Sequence, residues 1–177
     1  MKDMNAIFAG FGGQGVLFLG KAVAYAAMFQ DKEVTWLPSY GPEMRGGAAN
    51  SSVCVSDKPI FSPLVNQPNA LIVMNLPSFD KYIPMMAPGG VVVIDSALVS
   101  KKVARDDIEV HYVPASALAG EHSLQGLANI ILLGKFIAAT GFCDDAVMQK
   151  TIEKIVPPRK AHLIPKNMEA IRLGASL

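Results

Sequence analysis

The chain has 177 residues, 51% of them hydrophobic and only 18% charged, with a formal net charge of +1. A near-neutral chain carries neither a basic field for nucleic acid nor a polybasic patch for an anionic membrane, which excludes both as partners. The length suits a single domain over 1–177 that buries its own core.

Charge this sparse, against a typical share of about 25%, leaves little to cover a surface. Part of the surface is therefore expected to be buried against other chains, because permanent interfaces resemble a core cut in half. A compact, charge-poor monomer is the alternative. Residues 4–20 carry no charge, yet the cluster Gly10, Gly12, Gly13, Gln14 and Gly15 at their centre suits neither a signal peptide nor a membrane span. Lys2-Asp3 is not a basic flank either, so the protein is read as cytoplasmic. Cys54 and Cys143 stand far apart, with no C-x-x-C pair for a cluster, zinc or redox disulfide. Any electron-transfer centre must lie on another chain, and both thiols are expected to fill the core.

In chain order, residues 4–9 form an apolar run without polar alternation, as in a strand buried on both faces of a parallel sheet. Gly10 to Gly15, G-F-G-G-Q-G, then make a turn with the G-x-G-x-x-G spacing at Gly10, Gly12 and Gly15. A helix follows over 16–29, with Val16, Leu19, Val23, Ala26 and Ala27 at helical spacing. Glycine permits positive φ and close approach of backbone to a ligand, and a helix N-terminus offers unpaired N–H groups to an anion. A second strand spans 33–38. A dinucleotide fold places Asp or Glu at the end of this strand, on the ribose hydroxyls. Ser39 and Tyr40 stand there instead, and Asp31 and Glu33 precede the strand, so NAD or FAD binding is disfavoured and remains an alternative.

Residues 39–47, S-Y-G-P-E-M-R-G-G, are the most unusual stretch. Gly41 and Pro42 prescribe a turn, and Gly46 and Gly47 again allow close backbone approach. Glu43 and Arg45 are the only charges between Pro38 and Ser56. Arg45 can present its planar fork to a phosphate or carboxylate, with Glu43 orienting it or meeting a partner. A solvated surface loop is the bland alternative.

Strands are then expected at 48–55, 70–74, 91–94 and 109–113, with a proline-interrupted connection at 59–69, a short helix at 76–86 and a turn at 88–90. Asp95 and Ser96 fall at the carboxyl edge where open parallel sheets bind ligands; a capping or turn role is favoured over a functional one. After Pro114 a small-residue turn is expected. A long helix over 124–139 turns Leu127, Ile130, Ile131, Gly134 and Ile137 to the core, with Asn129 beside them as a buried amide that satisfies a loop. Further helices are expected at 144–155 and 166–173. The fold class is α/β, a Rossmann-like three-layer domain with a mostly parallel sheet. His111, His122 and His162 share no metal-ligand spacing, and only His122 is retained as a candidate acid–base group. Neither a G-x-S-x-G elbow nor a P-loop Lys-Ser/Thr is present, so no catalytic residue is assigned to this chain.

With G-F-G-G-Q-G-V at Gly10 to Val16 and S-Y-G-P-E-M-R-G-G at Ser39 to Gly47, the chain resembles the gamma subunit of 2-oxoacid:ferredoxin oxidoreductases, most closely the 2-oxoglutarate and ketoisovalerate branch. The likeness extends to P-G-G-V-V-V-I-D at Pro88 to Asp95 and A-N-I-I-L-L-G at Ala128 to Gly134. It implies a complex that oxidatively decarboxylates a 2-oxoacid to acyl-CoA, with CoA as co-substrate and ferredoxin as electron acceptor. It further implies alpha, beta and ferredoxin-like delta subunits that carry thiamine diphosphate and the iron–sulfur clusters. This chain has neither cluster cysteines nor the G-D-G…N-N thiamine motif, and is expected to bind no cofactor on its own. By the same resemblance Gly10, Gly12, Gly13, Gln14, Gly15, Tyr40, Glu43, Arg45 and Gly46 form the cofactor-binding set, facing the catalytic subunits and the entering CoA. Self-association of the isolated chain is left open, as are a stand-alone dinucleotide-binding oxidoreductase and a purely structural module.

Overall fold

A computed structural model describes residues 3–40 and 47–177. The strands are β1 (Met4–Phe11), β2 (Glu33–Tyr40), β3 (Ala48–Ser56), β4 (Ala70–Val73), β5 (Val91–Asp95) and β6 (Glu109–Val113). They form a six-stranded sheet in the order β2-β3-β1-β4-β5-β6. β1, β4, β5 and β6 run parallel, whereas β3 is antiparallel to both of its neighbours, β1 and β2. The α/β class and mostly parallel sheet expected from the sequence are thus present, with an antiparallel strand inserted beside β1.

Helices cover both faces. Ala6 and Phe8 of β1 point to one face, where α1 (Val16–Met28), α3 (Ala115–Glu121), α4 (Ala128–Thr140), α5 (Asp145–Ile155) and α6 (Ile164–Ala175) bury their apolar sides. Ile7 and Ala9 point to the other face, against Phe79, Tyr82, Ile83 and Met86 from α2 (Leu76–Tyr82) and the 3-10 turn that follows it. The period-2 alternation of a strand therefore feeds two apolar clusters at once, which is why β1 shows no polar alternation in sequence.

α4 is deeply enclosed: residues 129–134 and Phe136 and Ile137 are all buried. Phe136 meets Phe8 edge to face at 5.5 Å between ring centroids. On its other side α4 packs on α6 through two glycines. A Cβ on Gly134 would lie 2.0 Å from the Ile171 carbonyl oxygen, and one on Gly174 would lie 1.8 Å from that of Ile131. Backbone therefore touches backbone, and neither position admits even a methyl group.

Several boundaries differ from the sequence-based expectations, each for a physical reason. The small-residue turn expected after Pro114 is instead the helix α3. The fully buried Asp95 supplies its missing cap: Oδ1 and Oδ2 accept from the Ser116 backbone N–H at 3.4 Å and from its hydroxyl at 2.6 Å. Asp95 Oδ1 also accepts from the Ala97 N–H at 3.1 Å, the turn role favoured for it. α4 starts at Ala128 rather than 124, after Gly126 at φ +80°. β2 runs through Pro38 to Tyr40, because it is an edge strand where a missing N–H is tolerated. No helix among the described residues is long and apolar enough to cross a membrane.

Cys54 is buried, and Cys143 is partly buried. Burial, with Asp144 a lesser cause, pushes the Cys143 thiol up to about 12. At pH 8 only about one part in ten thousand is then thiolate. Cys143 should resist iodoacetamide at pH 8 in the native chain and react once urea unfolds it, as read by mass spectrometry. Gly134→Ala and Gly174→Ala should each destabilise the chain by about 2 kcal/mol or more in urea unfolding, since the new methyl meets a carbonyl that cannot retreat without parting two helices.

Candidate functional site

The site begins where β1 ends. Phe11 is the last residue of the strand, Gly12 to Gln14 turn the chain, and Gly15 caps α1 in the left-handed region at φ +79° and ψ +20°. Gly13 is also left-handed, at φ +102°. Both conformations are inexpensive only for glycine.

The turn is fixed from three directions. Gln14 folds back so that its Oε1 accepts the Phe11 N–H at 2.6 Å, and its Nε2 donates to the Met74 carbonyl at 3.0 Å, just past β4. The Gly12 N–H donates to the Gly47 carbonyl at 2.9 Å, joining the turn to the start of β3. From α4, Asn129 Nδ2 donates to the Gly15 carbonyl at 3.3 Å. Two glycines exist to admit these amides. A Cβ on Gly10 would stand 2.6 Å from Gln14 Oε1, and one on Gly15 would stand 2.4 Å from Asn129 Nδ2.

Beside the turn lies a cleft of about 360 Å³ lined by Phe11, Gly12, Gly13, Gly15, Val16, Leu17, Tyr40 and Ala49. Its three glycines contribute backbone alone to the lining, and Val16 and Leu17 belong to the first turn of α1. α1 has no side-chain cap and no acidic residue in that turn, so its N-terminal partial positive charge is not neutralised locally. Tyr40 and Phe11 are exposed at the rim, 57% and 37% respectively. None of the lining residues among those described is charged, and none is a nucleophile or general base at neutral pH.

The nine residues singled out in the sequence are placed as follows. Gly12, Gly13, Gly15 and Tyr40 share the cleft. Gly10 is buried within β1 and makes room for Gln14. Gln14 spends its amide on Phe11 and Met74, so it is a strut of the turn rather than a free contact group. Glu43, Arg45 and Gly46 lie outside the described residues. They fall in the connection between Tyr40 and Gly47, and both ends of that connection sit at the turn. Sequence reasoning missed Phe11, Leu17 and Ala49, and assigned Val16 only to the core-facing side of the helix. Phe11 and Leu17 lie within or next to the glycine motif and were accessible to it, whereas Ala49 enters only through its pairing with Gly10 and Tyr40. His122, the retained acid–base candidate, is the C-cap of α3 and does not line the cleft.

The topology also speaks against the dinucleotide alternative. In a dinucleotide fold the strand next to β1 carries the ribose acid at its carboxyl end. Here the neighbour on that side is β3, running the opposite way, with Ala48 opposite Phe11. The place of the acid is taken by small apolar residues. Among the described residues no three of His, Cys, Asp and Glu converge as a metal site.

The Gly10–Gln14 fit makes a quantitative test. Gly10→Ala should cost about 2 kcal/mol of stability in urea unfolding because its methyl meets the Gln14 amide, and Gln14→Ala about 1 kcal/mol for the two lost hydrogen bonds. The double variant should cost less than the sum, since the colliding group is gone.

A model of the pyruvate ferredoxin/flavodoxin oxidoreductase family matches residues 5–177. The chain is 38% identical over 152 residues to the 2-oxoglutarate synthase subunit KorC of Methanocaldococcus jannaschii, covering 84% of this chain and 81% of that one. It is 35% identical over 175 residues to the ketoisovalerate oxidoreductase subunit VorA of Methanothermobacter thermautotrophicus, covering 98% of this chain but only 36% of VorA. The chain therefore spans about a third of the length of that relative. Among solved structures it is similar to the gamma subunit of a keto/oxoacid ferredoxin oxidoreductase from Geobacter sulfurreducens, at 30% identity and a TM-score of 0.81, over 98% of this chain and 96% of that one. The family model matches nearly the whole chain, and relatives at 35–38% identity cover most of it, so the protein belongs to the pyruvate ferredoxin/flavodoxin oxidoreductase family.

Proposed function

We propose that this chain is the gamma subunit of a multisubunit 2-oxoacid:ferredoxin oxidoreductase. The complex would convert a 2-oxoacid, CoA and two oxidised ferredoxins to acyl-CoA, carbon dioxide, a proton and two reduced ferredoxins, with 2-oxoglutarate or a branched-chain 2-oxoacid as the favoured substrate. The observation that carries the reading is the arrival of the end of β2, at Tyr40, and of Gly47, just before β3, beside the glycine turn and its cleft, whose described walls carry no charged side chain. Such a surface recognises and docks; it performs no chemistry of its own. The relatives named as subunits of 2-oxoglutarate and ketoisovalerate enzymes support the substrate class.

Thiamine diphosphate, where bound, supplies the electron sink for decarboxylation. This chain lacks the G-D-G…N-N motif for it, and its described residues form no acidic cluster for the accompanying metal. That cofactor and the iron–sulfur clusters are assigned to alpha, beta and delta partners in the cytoplasm, with ferredoxin as the acceptor. The contribution of this chain is binding. Gly12, Gly13 and Gly15 let a phosphate or a neighbouring backbone approach the first turn of α1, whose N–H groups favour an anion. Arg45 forks onto a CoA phosphate, and Glu43 and Gly46 shape the same connection. Phe11 and Tyr40, with Leu76 and Leu98 further along the carboxyl edge of the sheet, are exposed apolar side chains suited to a partner interface.

Reconstitution tests the assignment. Alpha, beta and delta subunits mixed with this chain should reduce a dye in a CoA- and 2-oxoacid-dependent manner, with little activity when this chain is left out. Full activity without it would overturn the proposal. Arg45→Ala should raise KM for CoA about tenfold with kcat nearly unchanged, the loss expected for a charge-assisted contact. An unchanged KM would favour the purely structural reading of the chain.

A further inference from the structure

Asn129 stands apart from the cleft lining, on α4, and is outside the nine residues singled out as the cofactor-binding set. It is 7% exposed. Its Nδ2 donates to the Gly15 carbonyl at 3.3 Å, across 114 residues of sequence, and that carbonyl also accepts the Leu19 N–H of α1 at 3.2 Å. Gly15 is the left-handed residue that aims the first turn of α1 at the cleft, and the space for its missing side chain is filled by the Asn129 amide. α4 itself is held by the Phe8–Phe136 contact and by backbone packing against α6, so the amide is presented by a helix with little freedom to shift.

We propose that Asn129 is a positioning residue for the cleft. It holds Gly15 and hence the N-terminal N–H groups of α1 in the orientation that the cleft's occupant meets. A residue of this kind acts on affinity for that occupant and not on the chemical step, which lies on other subunits. The inference rests on the cleft being the surface through which this chain serves the complex.

Asn129→Leu keeps the approximate volume and removes the donor. In the reconstituted complex it should raise KM for CoA about tenfold, the worth of one buried hydrogen bond, while kcat stays within about twofold. If the occupant is a partner's backbone instead, KM for CoA stays constant and the dissociation constant for the partner subunits rises by the same factor; the positioning role stands and the CoA assignment falls. Gly15→Ala, measured beside it, reports whether the turn matters at all. Where Gly15→Ala shifts either constant and Asn129→Leu shifts neither, the proposal is overturned. Where neither variant shifts either constant, it is overturned together with the assignment of the cleft. A parallel melt separates loss of folding from loss of affinity, and if Asn129→Leu does not assemble, Asn129→Ser provides the second measurement with the same two readouts.

Discussion

The arrangement of this molecule depends on one pairing, β3 running antiparallel along the full length of β1, from Met4 opposite Val55 to Phe11 opposite Ala48. It brings the beginning of β3 to the end of β1, and because β2 pairs with β3 the end of β2 arrives there too. Two stretches separated in sequence by a helix and a strand thus share a few ångströms of surface. The hydrogen bond from Gly12 to Gly47 closes that junction. The same pairing removes the strand position where a dinucleotide-binding sheet keeps its ribose carboxylate. One topological choice therefore both builds the cleft and sets small residues, Ala48 and Ala49, beside the end of β1.

Around that junction the division of labour among residues is sharp. Glycines provide the surface, and two amides hold it in shape, Gln14 from within the turn by bracing on Met74 and Asn129 from α4. Neither amide is charged, so the support is insensitive to pH and salt in the ranges where ion pairs change strength. The ion pairs of the described structure, such as Lys101 with Asp80 and Arg172 with Asp145, lie on exposed surfaces away from the cleft, and contribute little to its geometry. What decides the site is steric: where a Cβ is forbidden, and which amide occupies the space it would have taken.

Much of this was legible in the sequence, and the reasons are physical. Glycine at positive φ and helical spacing from Val16 onward are local signals, and they located β1, the turn and α1 nearly to the residue. The stretch 39–47 stood out by its composition, but its first two residues close β2 and 41–46 lie outside the described residues. The parts that were not legible depend on contacts between distant residues. α3 needs the carboxylate of Asp95, which lies 21 residues upstream of Ser116. Gln14 reads as a ligand contact until its partner Met74, 60 residues away, is known. Ala49 has no chemical signature at all and enters the cleft by register alone. Asn129 was read as an amide that satisfies a loop, and the loop it satisfies is the glycine turn.

β2 carries a last consequence. Among the described residues β2 is the edge strand of the sheet beyond β3, and an exposed edge bearing Trp36, Leu37 and Tyr40 is a template for runaway cross-chain stacking. Pro38, in the midst of these side chains, has no N–H to offer an incoming strand. An intruding chain cannot zip along β2 without a break at that point, so the proline acts as a safeguard against such stacking.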